Sequence, residues 1–420
     1  MIALLIILLI LLALFGMPLF AVLGSIAVAL FHQAEIDISS VAVSMYTLAG
    51  SPLLVAIPLF TFAGYLFAHS KAPDRLVALS RALFPGGLAV VALVSCAIFT
   101  AFTGASGVTI IAMGGLLLPA LVKDGYNKQF NLGLLTASGS LGLLFPPSLP
   151  LILYGYVASV SIDKLFLAGL LPGVFLVVVL SIFGLWRGHK DGVVRERMSL
   201  RNIATALRGA GWEVPLPILV LGGIYSGFIT VMEAAALTAF YALVVEVLIY
   251  RDVSLRQLPQ IVAESMILVG GILIILACAL GLTNYLIDAE IPMQLLDWMQ
   301  QYVSSKYTFL LLLNIFLLIV GCLMDIFSAL IVVVPLIVPV AIGFGVDPVH
   351  LGIIFLTNLE IGYLTPPVGL NLFISSYRFN EPVVSLYAAS IPFLLLLLAA
   401  LFVITYIPAI SLFLVNLVGG

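Results

Sequence analysis

Two double prolines, Pro146-Pro147 and Pro366-Pro367, stand at the centres of two apolar stretches: ASGSLGLLFPPSLPLILYG at 137–155 and TNLEIGYLTPPVGLNLFIS at 357–375. A proline has no N–H and drives the residue before it out of the α region, so a helix unwinds at each pair and frees carbonyls and amides. In lipid, such groups are costly unless they line a polar cavity or bind something. Small oxygen-bearing side chains gather at the same places. Thr103, Ser106 and Thr109 surround a small polar cluster, TGASG, and Ser138, Ser140 and Ser148 flank the first break. In the second half Asp325 and Ser328 mark a matching cluster, with Asn358, Thr365 and Asn371 around the break. Hydroxyls, amide oxygens and freed carbonyls are hard ligands that suit Na⁺ and not a transition metal. Each half thus has the oxygens for one cation cage between a hairpin tip and a broken helix. For any single Ser or Thr, bonding back to its own helix is the competing role.

An acidic residue inside an apolar segment is expensive and usually functional. Asp325 has no acidic counterpart in the first half, where the matching position is Ala105. Two roles are open to it: direct cation ligation, or capping the helix that returns from the tip. Glu360 lies just before the second break, and Glu233 in VMEAAA opens a span where capping or a helix contact is the alternative. Glu246 and Glu264 lie near loop ends and read as structural. No Lys or Arg occupies the centre of a span, so an organic anion would rest on helix N-termini, the backbone at the breaks and bound cations. Arg378, past the second break, is the one basic residue that could reach it, although an interfacial anchor is its simpler role. There is no G-x-x-x-x-G-K-[ST] for ATP and no H-E-x-x-H, and His32, His69, His189 and His350 lie near segment ends. Neither enzymatic chemistry nor ATP-driven transport is supported. Cys96, Cys278 and Cys322 lie in apolar runs and read as buried free thiols.

The elements that must position these residues are membrane helices. Of the 420 residues, 63% are hydrophobic and 8% charged, and the mean hydropathy is +1.30. Soluble domains carry about a quarter charged residues, so the chain reads as a polytopic, all-α membrane protein. No Lys or Arg precedes Lys71, so the N-terminus reads as a retained membrane segment rather than a cleaved signal. Residues 2–31 form one broken helix or two short ones, and a span follows at 52–68. The amphipathic stretch 74–84, with Arg75 and Arg81 on its polar side, reads as lying along the bilayer. Next come a helical hairpin at 86–122, the broken helix 132–160 and a span at 165–186. The polar loop 187–211 carries Arg187, Lys190, Arg195, Arg197, Arg201 and Arg208, which places it in the cytoplasm. The second half brings two spans at 214–250, one at 260–287, an amphipathic stretch at 294–304, a run at 307–343 broken at 324–328, the broken helix 350–377 and a final span at 386–413. At about 20 residues per crossing, that makes roughly ten spans and two hairpins.

A single offset of 220 relates the halves. It brings Tyr65-Leu66 onto Tyr285-Leu286, Pro119 onto Pro339, Gly125 onto Gly345, Gly142 onto Gly362, and one Pro-Pro onto the other. A duplicated architecture follows; whether the copies are inverted or parallel depends on a span parity that 2–31 leaves open. Six segments result: 1–85 (scaffold and arm, first repeat), 86–160 (hairpin and broken helix), 161–213 (connecting span and basic loop), 214–305 (scaffold and arm, second repeat), 306–380 (hairpin and broken helix) and 381–420 (C-terminal span).

GMPLFAVLG, LGLLFPPSLPLILYG, MEAAALTAFYALV and MDIFSALIVVVPLIVP…DPVHLGIIFLTNLEIGYLTPPVGLNLF resemble the large membrane subunit of TRAP (tripartite ATP-independent periplasmic) transporters, of the ion-transporter superfamily, over essentially the whole chain. The resemblance implies Na⁺-coupled import of a small organic acid across the bacterial inner membrane, such as a C4-dicarboxylate or sialic acid. It implies inverted repeats and an elevator, in which hairpins and broken helices slide against a scaffold. It further implies a small membrane subunit, separate here because the large subunit accounts for all 420 residues, and a periplasmic substrate-binding protein. Carried onto this chain, one Na⁺ site would involve Ser106, Gly142, Phe145 and Pro146, and the other Asp325, Gly362, Thr365 and Pro366. Substrate would sit between the tips, near Thr103, Ser148, Ser328 and Asn371. The competing readings are a stand-alone Na⁺/dicarboxylate carrier without a binding protein and, from another class, a passive channel.

Overall fold

The computed structural model describes residues 7–9, 11–12, 16–84, 87–193 and 199–418, among which there are helices and no β-strand. Residues 2–6, 10 and 13–15 of the 2–31 run, and Arg195 and Arg197 of the basic loop, lie outside the described residues. The first half contains α1 (Leu19–Gln33), α2 (Ser39–Ala49), α3 (Ala56–Ala68) and the amphipathic α4 (Ala72–Leu83). A hairpin follows, α5 (Leu88–Thr103) and α6 (Ser106–Lys123), then a broken helix. The latter comprises α7 (Lys128–Ser138), a 3₁₀ turn at Leu141–Leu144, and α8 (Leu149–Val157), bent by 47°. The long α9 (Ile162–Lys190) leads to α10 (Leu200–Gly209), α11 (Pro215–Tyr225) and α12 (Val231–Leu243), the last ending in a π-helical turn at Val244–Ile249. After α13 (Leu258–Asp288) and α14 (Ile291–Tyr302) come a second hairpin, α15 (Lys306–Leu323) and α16 (Ile326–Gly343), and a second broken helix, α17 (Pro348–Gly362) and α18 (Leu370–Phe379). Two final helices are α19 (Val383–Tyr406) and α20 (Ala409–Val418).

Local chemistry repeats where the bounds do. The returning hairpin helices α6 and α16 start and end 220 residues apart, and so do the starts of α7 and α17. Each of these pairs is joined through a glycine in the left-handed region, Gly125 (φ 91°) and Gly345 (φ 72°), which only glycine adopts without strain. Each second helix then starts on a side-chain cap. Asn127 Oδ1 accepts from the Gln129 amide at 2.9 Å, and Asp347 Oδ1 from Val349 and His350 at 2.8 and 3.1 Å.

Two expectations need correction. The 187–211 segment is not one loop: α9 continues through Arg187 to Lys190, and α10 is strongly amphipathic, its apolar positions at helical spacing. The final span is two helices, because Pro408 has no N–H to continue α19. Among the described residues seven helices are long and apolar enough to cross a membrane, or up to nine with each bent pair counted as one span. Prolines and tight turns cut the remaining apolar runs into helices such as Leu88–Thr103, Pro215–Tyr225 and Pro348–Gly362.

The hairpins enter from opposite ends of the molecule. At one end Arg75 of α4 meets Glu213, Glu246 and Asp252, the Asn127 amide donates to Asp191, and Lys128 pairs with Glu381. Both feet of the first hairpin lie there, with Gly87 close against Tyr126. At the other end the Tyr154 hydroxyl donates to the Pro348 carbonyl (2.8 Å), and Lys306 Nζ to the Gly345 carbonyl (2.6 Å), at the feet of the second.

Arg75 does not lie on a polar rim, as its amphipathic helix suggested. Its guanidinium is mostly buried, 3.0 Å from Glu246 and 2.5 Å from Asp252, in contact with Glu213, and 3.9 Å from the centre of the Tyr250 ring. The Tyr250 hydroxyl donates to the Gly209 carbonyl at 2.8 Å, tying α10 to the same cluster. Three carboxylates on one cation bind α4 to the ends of α11 and α12. Arg75→Ala would leave them facing one another and is expected to cost about 3–5 kcal/mol, the usual loss on removing one partner of a buried ion pair. Thermal unfolding in detergent checks this: a melting temperature within error of wild type would contradict the cluster's structural role.

Candidate functional site

The first break is packed onto the end of the first hairpin. α5 ends where Gly104 turns left-handed (φ 65°), and α6 restarts two residues later at Ser106. Thr100 is the clasp: its hydroxyl lies 2.9 Å from the carbonyl oxygen of Gly139, where α7 gives way, and 2.8 Å from the hydroxyl of Thr109. Gly142 lets the 3₁₀ turn approach α5 so closely that a Cβ there would lie 2.2 Å from the Ala97 carbonyl oxygen and 2.6 Å from the Ala101 nitrogen.

The second half repeats the contact with other chemistry. A Cβ on Gly362 would lie 2.5 Å from the Gly321 carbonyl carbon, and Gly321 stands 220 residues after Ala101. The Gly369 amide donates to the Cys322 carbonyl at 3.2 Å, and the Ile326 amide to the Tyr363 hydroxyl at 2.6 Å. Asp325 caps α16: its Oδ1 accepts from the Phe327 and Ser328 amides, both at 3.0 Å, and its Oδ2 from the Ser328 hydroxyl. Of the two roles open to Asp325, capping is the one its contacts display.

The two units interlock crosswise. α6 of the first hairpin packs on α18 of the second broken helix, and α16 of the second hairpin packs on α8 of the first. Beside one of these contacts α18 meets α7 through polar groups: the Thr136 and Ser375 hydroxyls lie 2.9 Å apart, and the Asn371 side-chain amide donates to the Thr136 carbonyl at 3.3 Å. On the matching side the positions 220 residues away are Leu356, Leu151 and Gly155. Several buried oxygens of the hairpins and broken helices have no hydrogen-bond partner: Thr103 Oγ1, Ser140 Oγ, Asn358 Oδ1, Asn371 Oδ1 and both carboxyl oxygens of Glu360. Such atoms mark places where water, an ion or a ligand completes the bonding.

The candidate residues fall into three groups. Ser106, Gly142, Gly362, Asp325 and Ser328 stand where tip meets break. Thr103 and Asn371 are buried at the crossing with oxygens to offer. Three others are engaged elsewhere: Thr365 bonds back to Ile361 at 3.0 Å, Ser148 bonds back to Leu143, and Phe145 turns its ring onto Gly173 in an apolar crevice. That crevice, about 540 Å³, runs between α5, the Phe145-Pro146 corner, α9 and α11. For Phe145, Pro146 and Pro366 only backbone carbonyls remain as ligands. Exposure is unequal: Pro146 and Pro147 are buried, whereas Asp325, Pro366, Pro367 and Val368 are exposed. Sequence reasoning missed Thr100, Thr136, Tyr363 and Ser375. Thr136 lies one helical turn before the Ser140 that was singled out, which was the available signal for it.

The chain matches, over residues 4–410, the family described as the DctM component of the tripartite ATP-independent periplasmic transporters. It belongs to that family. The C4-dicarboxylate TRAP transporter large permease protein DctM of Rhodobacter capsulatus is 38% identical over 98% of each chain. Its namesake in Pseudomonas aeruginosa is 36% identical over 94% of this chain and 93% of its own. The YdaH transporter of Alcanivorax borkumensis shares the fold, with a TM-score of 0.61 at 14% identity over 96% of this chain and 98% of that one. As a TRAP large permease the chain is a multi-pass protein of the inner membrane and part of a secondary transporter, and its relatives are permeases rather than enzymes.

The close approach at both breaks gives a test. Gly142→Ala and Gly362→Ala put a methyl into neighbouring backbone and are expected to cost about 1–3 kcal/mol, as overpacking does. Gly222→Ala, which meets open space, serves as control. Thermal stability of the three variants decides it: two breaks that tolerate Ala as well as Gly222 does would contradict the packing.

Proposed function

We propose that this TRAP permease imports a small organic acid coupled to Na⁺, with the crossed hairpins and broken helices moving as an elevator against α1–α3 and α11–α13. The observation that carries this reading is the pair of tip-to-break contacts at Gly142 and Gly362, together with unpartnered oxygens of the hairpins and broken helices in a lipid-embedded chain. One Na⁺ lies at Ser106 and the carbonyls of 142–146, and the other at the second tip and the carbonyls of 362–366. Substrate lies at the crossing, against Thr103, Asn371 and the polar seam. Its carboxylate meets helix N-termini and bound cations rather than a fixed Lys or Arg.

Hairpin feet at opposite ends support inverted repeats. The end that holds Arg187, Arg201 and Arg208 is the cytoplasmic one. By family, a small membrane subunit and a periplasmic binding protein complete the transporter, and the C4-dicarboxylate relatives make succinate the first substrate to try.

Uptake into proteoliposomes holding the chain and its small partner tests the reading, with and without a Na⁺ gradient and the binding protein. Uptake that needs both is expected; uptake with the gradient alone would identify a stand-alone carrier, and uptake indifferent to Na⁺ would remove the coupling. Ser106→Ala and Asp325→Ala are expected to raise the Na⁺ concentration for half-maximal uptake about tenfold or more, the loss of roughly 1.4 kcal/mol of ion binding. An unchanged Na⁺ dependence in both would sink the cation assignment.

A further inference from the structure

The apolar crevice beside Phe145 and Pro146 has a polar neighbour at one end. The crevice is lined along α5 from Val90 to Ala101 and along α9 from Leu170 to Ser181. Each interval is eleven residue steps, roughly 17 Å of helix, close to the ~15 Å depth of one leaflet. Among the described residues Ser181 is its one polar lining residue, and Val174 and Val178 are 48% and 47% exposed, so a flexible apolar chain can enter from the side. Where α4 faces α10 there is a cleft of about 410 Å³. Small side chains such as Ala82 and Ala206 leave the room, while Arg81, Arg201, Asn202 and Thr205 bring cations and hydrogen-bond donors. Phe84 of the crevice follows Ala82 of the cleft by two positions, so one opens beside the other. Exposed tryptophans settle at the headgroup level of a membrane. Trp186 follows Ser181 by five positions on α9, and Trp212 falls between Gly209 of the cleft and Pro217 of the crevice; both are about half exposed.

The charges in the cleft are not equivalent. Arg75 lines it too, but its guanidinium is held by Glu213, Glu246 and Asp252. Arg81 lies six positions on, about 9 Å along the helix, in an exposed pair 3.7 Å from Asp124. Such pairs are weak and yield to a better anion. Arg201 is exposed and forms no ion pair among the described residues. An acyl chain suits an apolar slot one leaflet deep, and a phosphate suits two guanidiniums at headgroup level. A neutral headgroup satisfies the first alone, and a soluble anion the second alone.

We propose that an anionic phospholipid of the cytoplasmic leaflet occupies cleft and crevice together, its phosphate between Arg81 and Arg201 and one acyl chain along α5 and α9. The crevice separates the Phe145-Pro146 corner from Pro217 and Leu221 of α11, so the chain lies where the two bodies of the proposed elevator would slide. Only the choice of the cytoplasmic end is taken from the importer reading.

Native mass spectrometry of the full chain with its small membrane subunit tests the site, with dioleoyl phosphatidylglycerol, dioleoyl phosphatidylcholine and inorganic phosphate as probes. In wild type the first phosphatidylglycerol is expected to bind about tenfold or more tighter than phosphatidylcholine, and in Arg81→Gln/Arg201→Gln the preference is expected to fall below about twofold. Arg256→Gln removes an exposed charge outside the cleft and is expected to keep the preference. Val178→Trp fills the open side of the crevice without touching a charge, and is expected to lower the occupancy of both lipids alike. Equal binding of the two lipids by wild type would overturn the proposal, whether the small subunit covers the cleft or the cleft does not read charge. So would a preference that survives in the double variant, falls equally in Arg256→Gln, or is unmoved by Val178→Trp. Inorganic phosphate is expected to displace no lipid; displacement at lipid-like concentrations would make the cleft a site for soluble anions and overturn it too. Binding is read without transport, so failure of Na⁺-driven import would count against the importer reading and leave the lipid site standing.

Discussion

Where Gly362 meets Gly321, two backbones touch with no side chain between them, and Gly142 meets Ala97 and Ala101 in the same way. Everything at the centre of the molecule depends on these approaches. A helix that breaks inside a membrane frees amides and carbonyls that lipid cannot satisfy, so another piece of protein must come within hydrogen-bonding reach. The hairpins are that piece. Thr100 covers the Gly139 carbonyl on one side; on the other, the Cys322 carbonyl and the Tyr363 hydroxyl accept the amides of Gly369 and Ile326. A larger residue at either glycine would hold tip and break apart and leave the freed groups bare.

The crossing follows from this constraint. Each hairpin covers its own break with one arm and packs its other arm on the far half of the opposite broken helix. The four elements interlock, and α4, which packs on α5, is also clamped by Arg75 to the ends of α11 and α12. Backbone contact inside the interlocked group, with an apolar crevice beside it, is what the proposed elevator movement would use. The polar seam of Thr136, Asn371 and Ser375 on one side only, against leucines on the other, makes that group polar beside one contact rather than two.

The skeleton of this arrangement was legible because its signals are local. Pro-Pro dictates a break wherever it occurs, and Pro, Gly and capping residues at a fixed offset mark the ends of matching helices whatever the packing. What stayed hidden was set by side-chain direction or by tertiary contact. Asp325 looks the same in sequence whether it binds an ion or caps a helix, and only the amides of Phe327 and Ser328 decide which contact is made. Arg75 sits on an amphipathic helix that reads as interfacial, and its three carboxylate partners come from positions 213, 246 and 252. Thr365 and Ser148 have the right chemistry in the right turn, and their hydroxyl protons go to carbonyls of their own segments, so only their oxygen lone pairs are left to offer. Proline and tight turns make several of the apolar helices shorter than a simple crossing needs, which the run lengths in the sequence do not reveal.

The measurement that bears most directly on this account is disulfide cross-linking across the crevice, compared with cross-linking inside the interlocked body, in a background lacking Cys96, Cys278 and Cys322. Val94 of α5 and Leu221 of α11 both line the crevice, and Thr136 and Ser375 touch within the interlocked group. The account predicts that the Val94→Cys/Leu221→Cys bridge forms to an extent that changes with Na⁺ and arrests uptake once formed, while the Thr136→Cys/Ser375→Cys bridge forms equally in every condition. A cross-linked Val94–Leu221 pair that still transports at the wild-type rate would contradict it.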